Sequence, residues 1–272
     1  MPYHSPITKR NPEPSNKQLV MILLLFLGFF LTIVITVFAL VNRLVYMIPV
    51  SFEQTLGKAI VTQLNYQNDN VLISKKLNDL VDSLEEKLTD DVNADRDYNV
   101  IYEDEEIVNA VAIPGDTIVI YKGLLEKVDS ENELAMILGH EIGHFANRDH
   151  LKGLSNILLI RLIFSFFIDP NSLLNVGVDV TNTIVNAQYS QSQELAADKF
   201  GLDLLNKRYG HVGGATDFFT KLQELEKEAN RDDSIAFLAS HPLAKKRIKT
   251  LKKLIRKQKY SSQEKILLDW IL

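Results

Sequence analysis

The chain contains no cysteine among its 272 residues. That excludes disulfides, thiolate metal ligands and cysteine nucleophiles, and it leaves the redox compartment open, since a cysteine-free chain survives in any of them. Positive charge is not in excess either. Thirty Lys and Arg stand against 35 Asp and Glu, a net charge of −5, which argues against nucleic-acid binding as the main business. No internal repeat or low-complexity stretch is present. Hydrophobic residues make up 46% and charged residues 24%, an ordinary balance, so a core is within reach for one large domain or two small ones.

Long uncharged runs are also missing, with one exception. Residues 19–41 read LVMILLLFLGFFLTIVITVFALV without a charge. As a helix rising about 1.5 Å per residue, the run spans the roughly 30 Å hydrocarbon core of a bilayer. A cleaved signal peptide would have a shorter apolar region of about 7–15 residues and a small-x-small site after it. The run is therefore expected to be an uncleaved signal anchor, behind a proline-bearing, disordered tail over residues 1–18. Lys9, Arg10 and Lys17 precede the run, and only Arg43 and Lys58 follow it closely. That bias predicts a single-pass protein with a cytoplasmic N-terminus and everything after the anchor outside the cytoplasm.

Beyond the anchor, a helix is expected from about Phe52 to Leu64. Between them lies a tether of nine or ten residues, reaching about 30 Å at about 3.3 Å per residue, so the rest works near the membrane surface. Leu77, Leu80, Val81, Leu84 and Leu88 follow helical spacing. From Tyr98 to Tyr121 the pattern turns β-rich: Val100-Ile101, then IVNAVAI, then TIVIY, with Pro114-Gly115-Asp116 as the turn between the last two. A small antiparallel sheet is expected there, and mostly helix from Gly123 onward. The fold class expected is α+β, mainly helical, with one domain after the anchor.

HEIGHFANRDH, residues 140–150, carries the chemistry. Ser130-Glu131-Asn132-Glu133 has the form of a capping box and starts a helix through this stretch. Leu134, Leu138, Ile142 and Phe145 share one face of it. His140 and His144, four apart, share the roughly opposite face, where two imidazoles one turn apart can reach one zinc ion. Glu141 stands beside them, placed to take a proton from an activated water. Gly143 costs about 1 kcal/mol relative to Ala inside a helix, which makes sense if something must approach the backbone there. His150, six residues beyond His144, is off the ligand face.

A catalytic zinc needs a third protein ligand and one open position. In YSQSQELAADKFG, residues 189–201, Glu194 and Asp198 share a helix face. Glu194 can ligate the metal, and Asp198 can accept the free ring N–H of a ligand histidine and fix its tautomer. The same spacing also suits an ordinary acidic helix surface.

HEIGHFANRDH followed by ELAADKFG closely resembles the membrane zinc endopeptidases that include the CAAX prenyl protease and the bacterial heat-shock protease HtpX. NAVAIPGDTIVIYKGLL, residues 109–125, is similar to that family's Asn-Ala-x-Ala strand and the turn after it, and SHPLAKKRI, residues 240–248, to its late His-Pro segment. The resemblance covers about residues 49–250. It departs at Gln191, where the family often has Arg, and in having one clear span where the prenyl protease and HtpX have several.

The resemblance implies a zincin-like protease domain over residues 42–272, with one Zn2+ held by His140, His144 and Glu194. It implies Glu141 as general base and Asp198 as partner of a ligand histidine. His241 would stabilise the oxyanion, with Tyr189 and Arg247 as helpers. Asn109, Ala110, Val111 and Ala112 would form an edge strand that pairs with an extended substrate. The implied partners are protein or peptide substrates, membrane-proximal or misfolded, and the bilayer through the anchor. Nucleic acid is not expected, and the oligomeric state is left open. A different class of function is a catalytically silent, membrane-tethered binding or chaperone module on the same zinc fold.

Two further segments stand out. ILLIRLIFSFFI, residues 157–168, is apolar but short, interrupted by Arg161 and ended by Asp169-Pro170. A packed helix or lid is expected rather than membrane insertion. AKKRIKTLKKLIRKQK spaces Ile248, Leu251, Leu254 and Ile255 along one face and is expected to be a basic helix packed on the core.

Overall fold

The computed structural model describes residues 14–66, 68–88, 95–167, 188–228, 236–242 and 245–270. Most of the tail expected over residues 1–18 lies outside them. Helix α1, Asn16–Leu44, is longer than the uncharged run. Its start is fixed by a capping box, in which Ser15 accepts from the Gln18 amide and the Gln18 side chain accepts from the Ser15 amide. None of its residues is buried, although almost all are apolar.

The tether is shorter and stiffer than the sequence suggests. A 3-10 turn, Val45–Met47, and Pro49 lead directly into helix α2, Val50–Leu64. The Arg148 guanidinium clamps this junction by donating to the carbonyls of Val45, at 3.0 Å, and Ile48. Its own backbone adopts φ 53, which turns the chain sharply between two later helices.

Helix α3, Val71–Glu85, starts on Asn70, whose side chain accepts from the Leu72 and Ile73 amides. It buries Leu77, Leu80, Val81 and Leu84 as their spacing predicts, and Leu88 packs just beyond its end. Three strands follow: β1, Asn99–Glu103; β2, Ala110–Ile113; and β3, Thr117–Tyr121. β2 and β3 pair antiparallel across the 114–116 turn, where Gly115 and Asp116 both take left-handed φ, 85 and 68. β1, however, pairs parallel to β3, in the order β1-β3-β2. The sheet is thus mixed rather than antiparallel throughout. Segment 104–109 steps over one strand position, about 10 Å, and leaves β3 to fill the gap.

Both faces of this sheet are covered, so its runs are apolar at nearly every position. Val100, Tyr102, Ala110, Ala112, Ile118 and Ile120 face the main core, while Ile101, Val111, Ile113, Val119 and Tyr121 face Ile60 of α2. The outer edge of β1 is closed by amides from outside the sheet. Asn78 of α3 donates to the Val100 carbonyl and accepts from its amide, both at 2.9 Å, and Asn68 accepts from the Tyr102 amide at 3.2 Å. The outer edge of β2 is paired with no strand among the described residues.

Helix α4, Lys122–Leu125, leads to α5, Glu131–Ala146, and α6, Asp149–Phe167. The Ser130 hydroxyl accepts from the Glu133 amide at 3.3 Å, as the capping box predicts, but the Glu133 carboxylate reaches back to the Asp129 amide instead of Ser130. Beside Ser130 the chain pairs with the C-terminal segment, where the Glu131 amide donates to the Ile266 carbonyl at 2.8 Å. α6 covers the expected 157–168 helix up to Phe167 and packs against α1, the 45–47 turn and α5. The remaining helices are α7, Gln191–Tyr209; α8, Asp217–Glu228; α9, Ala236–Ser240; and α10, Lys245–Gln258. α10 packs Ile248, Leu251, Leu254 and Ile255 onto the core as expected.

A buried charge network ties α2 to the rest. Arg96 makes two hydrogen bonds to Glu53 and also pairs with Asp116 of the turn, and His150 Nε2 lies 2.6 Å from Glu53 Oε1. Burial alone would raise the Glu53 carboxyl, but hydrogen bonds and charge from His150 and Arg96 hold it down at about 2. A depressed carboxyl stabilises the fold above its unfolded pKa and loses that contribution as pH falls through the folded one. The window here is from the ordinary 4.5 down to about 2. Glu53→Gln is expected to cost about 3 kcal/mol at neutral pH, because Arg96 loses its main partner. The cost should shrink as pH falls through that window, in urea unfolding of detergent-solubilised protein. Equal destabilisation at pH 7 and pH 2.5 would show that the charge contributes nothing.

Candidate metal centre and active site

The site forms where α5 and α7 cross at close range. A Cβ on Gly143 would lie 2.9 Å from the Ala197 Cα, and one on Gly201 would lie 2.9 Å from the His140 amide nitrogen. The approach expected at Gly143 is therefore that of α7. The histidine face of α5 is buried as well as its core face. Asn132 to Phe145 are buried without a break, because the core takes one side and α7 the other.

This crossing puts Glu194 and Asp198, one turn apart on α7, against His140 and His144, one turn apart on α5. His140 Nε2 and His144 Nε2 are 3.1 Å apart, and His144 Nε2 is 3.3 Å and His140 Nε2 3.7 Å from the Glu194 carboxylate. His241 joins them from the end of α9, its Nδ1 3.2 Å from both His140 Nε2 and Glu194 Oε1. All four residues are buried, and one donor atom from each lies within 4.8 Å of the others. Ligands held about 2.0–2.1 Å from a tetrahedral zinc ion stand roughly 3.3 Å apart, so His140, His144 and Glu194 fit as its three protein ligands, with His241 beside them.

The far nitrogens of the two α5 histidines are held by carboxylates. His140 Nδ1 is 3.0 Å from Asp198, and His144 Nδ1 is 3.0 Å from Asp149. Each carboxylate fixes its imidazole with Nε2 turned toward the cluster. Asp198 is expected from the sequence; Asp149 is not. Its signal is present in HFANRDH, but it partners His144 only because Arg148 turns the chain back at the start of α6. Gln193 and Lys152 hold Asp149 in turn, at 3.0 and 3.2 Å.

Arg247 comes from the basic helix α10 but is itself buried. It donates to Asp198 at 2.8 and 2.5 Å and pairs with Glu194. Arg247 thus balances two carboxylates of the cluster, while Lys152 pairs with Asp149. Burial tends to lower the His144 pKa, yet hydrogen bonds to Asp149 and Glu194 carry it up to about 9.

Glu141 differs from its neighbours. Neither carboxylate oxygen has a hydrogen-bond partner among the described residues, although the side chain is fully buried. Burial raises its pKa above the ordinary carboxylate range. His241 Nε2 is 3.6 Å away. Around them, the Tyr189 ring stacks on His144 with centroids 3.9 Å apart, and Phe237 stacks on His241 at 4.5 Å. The Phe237 amide donates to the Val108 carbonyl, which docks the His241 helix beside the start of β2. Asn109, Ala110, Val111 and Ala112 follow directly on Val108, whereas His150 is engaged with Glu53.

Residues 74–255 match the model of "Peptidase family M48". Among curated proteins, the chain is 32% identical to the mitochondrial metalloendopeptidase OMA1 of Arabidopsis thaliana over 161 residues, 57% of this chain and 31% of that protein. It is 33% identical to the metalloprotease LoiP of Escherichia coli over 129 residues, 44% of this chain and 49% of that protein. It is 24% identical to a putative beta-barrel assembly-enhancing protease of Vibrio cholerae over 208 residues, 72% of this chain and 42% of that protein. The chain thus spans less than half the length of each of these relatives.

Asp149→Asn is expected to weaken zinc binding by about 10- to 100-fold, the usual effect of removing a carboxylate behind a ligand histidine. Competition against a chelator of known affinity measures this. A change below twofold would reduce Asp149 to a helix-start residue.

Proposed function

Because the chain belongs to peptidase family M48, we propose that it is a membrane-anchored zinc metalloendopeptidase acting on membrane-proximal or misfolded proteins. The observation that carries this reading is the four-donor cluster with the unpartnered, buried Glu141 carboxylate beside it. In this reading His140, His144 and Glu194 hold zinc. When bound, zinc supplies Lewis acidity, acidifying a water and polarising the scissile carbonyl.

The chain's own residues do the rest. Glu141 accepts the proton of the attacking water and delivers it to the leaving amine, and its burial suits a base that must then act as an acid. His241, braced by Phe237, offers a ring N–H to the developing oxyanion. Arg247 neutralises Asp198 and Glu194, and Asp198 and Asp149 keep the two α5 imidazoles in place.

The substrate lies along β2. In an antiparallel pair, alternate residues bond inward. The Tyr121 amide donates to the Asn109 carbonyl, so the backbone polar groups of Ala110 and Ala112 point to the outer edge. An extended peptide pairing there is held by its backbone, with little reading of its sequence. Residues 42–272 form the protease domain, 19–41 the anchor and 1–18 a cytoplasmic tail. The excess of Lys9, Arg10 and Lys17 over Arg43 and Lys58 supports a protease domain outside the cytoplasm.

Glu141→Gln is expected to bind one zinc per chain, like the wild type, and to cleave casein at least about 10^3-fold more slowly, given what a general base and its proton transfers contribute. Chelation should silence the wild type and zinc restore it. Equal activity in the two proteins would sink the peptidase reading, whereas zinc binding with no cleavage by either would favour the silent binding module.

Ala112→Pro tests the edge strand. Proline removes an amide that points away from β3, so the ladder keeps its bonds. Its expected signature is a KM for an extended peptide raised about tenfold, with zinc content and thermal unfolding little changed. An unchanged KM would place the substrate elsewhere.

A further inference from the structure

We propose that α6 is a second membrane-embedded helix, running back into the bilayer antiparallel to α1, rather than a lid over the catalytic cleft. Four observations carry this.

The first is a seam on α1. Phe30, Val34, Phe38, Val41, Asn42 and Val45 are the positions of α1 and its final turn that are partly or fully covered, and they recur at helical intervals of three and four, with Val41 and Asn42 adjacent. That is one face of a helix, about 22 Å long. Its partner within the chain is α6, which packs against both α1 and the 45–47 turn.

The second is direction. α6 begins at the C-terminal end of α1: Arg148 holds the Val45 and Ile48 carbonyls, the Tyr46 hydroxyl donates to the Asn147 carbonyl at 3.4 Å, and the Lys152 ammonium sits 4.8 Å from the Tyr46 ring centroid. A helix that starts there and follows the seam toward Phe30 runs back along the anchor. Tyr46 and Lys152 mark its entry, with the amphipathic pairing found at a membrane interface.

The third is the surface of α6. Ile157 to Phe167 carry one charge, Arg161, and are otherwise apolar apart from Ser165. Leu158, Ile160 and Leu162 are 38, 46 and 41% exposed, and they do not lie on one side. A lid packed over a protein surface shows one apolar stripe and one polar face. A helix apolar all round, with exposed apolar side chains on two sides among the described residues, has lipid as its matching solvent.

The fourth is length. Eleven residues from Ile157 cover about 16 Å, which reaches from the interface to near the bilayer midplane. α6 also follows directly on the helix that carries His140 and His144. The metal cluster would then hang from two membrane-embedded helices, not one.

The absence of native cysteine makes the test direct. Single variants Ile160→Cys and Leu162→Cys of the full chain, loaded with zinc, are labelled with an environment-sensitive fluorophore and reconstituted into phosphatidylcholine–phosphatidylglycerol vesicles. Ile35→Cys on α1 is the lipid control and Glu224→Cys on α8 the water control. The expected result is quenching by acyl-chain-borne spin labels at 160 and 162 that is at least half of that at 35, with none at 224. Quenching at 35 alone would overturn the proposal and return α6 to a protein-covered helix. No quenching at 35 would overturn it as well, by taking α1 out of the bilayer. On the unmodified chain, a photoreactive acyl-chain lipid should mark the tryptic peptide Gly153–Arg161. An unmarked peptide beside a marked α1 would overturn the proposal without any substitution.

Discussion

The structure turns on the contact between α5 and α7, which lets two helix backbones come closer than side chains normally allow. Gly143 meets Ala197 and Gly201 meets the backbone at His140, each leaving no room for a Cβ. Every feature of the metal cluster follows from that approach. With larger residues at the crossing the helices would stand apart, and carboxylates on one could not reach imidazoles on the other. A glycine inside a helix costs about 1 kcal/mol, so this geometry is maintained against local propensity.

Around the crossing, each element adds one constraint. β2 lies alongside, its outer edge paired with no strand among the described residues, while Asn78 and Asn68 close the edge of β1 with side-chain amides. α9 brings His241 into the cluster and docks through Val108. α10, basic and mostly solvated, sends Arg247 inward to balance two carboxylates. The centre thus draws on stretches of chain far apart in sequence but joined within a few ångströms.

What could be read from the sequence was what local spacing encodes. His140 with His144, and Glu194 with Asp198, are one-turn pairs, and they share their helix faces as their spacing requires. The capped start at Ser130, the turn at Pro114-Gly115-Asp116 and the uncharged anchor were legible for the same reason. Periodicity could not show what covers α5: spacing set His140 and His144 opposite the core face but did not reveal that α7 encloses them. It also failed where contacts span the chain. The parallel pairing of β1 depends on how segment 104–109 crosses the sheet, which no local pattern records. Asp149 reaches His144 only through the left-handed turn at Arg148, and Arg247 looks like one more residue of a lysine-rich helix until α10 is placed beside α7.

The Arg148 clamp on Val45 and Ile48 has a mechanical consequence. A flexible tether would let the peptidase sweep a volume and meet substrates at any height. A clamped junction, reinforced by the Glu53–Arg96–Asp116 network, removes that freedom and fixes the metal-ligand cluster relative to α1. Under the proposed peptidase reading, a protein emerging from the same bilayer would then be cut at a distance counted in residues from its own last membrane-buried position. Selectivity of this kind comes from a ruler built into the mount, and it requires no recognition of side chains at the scissile bond.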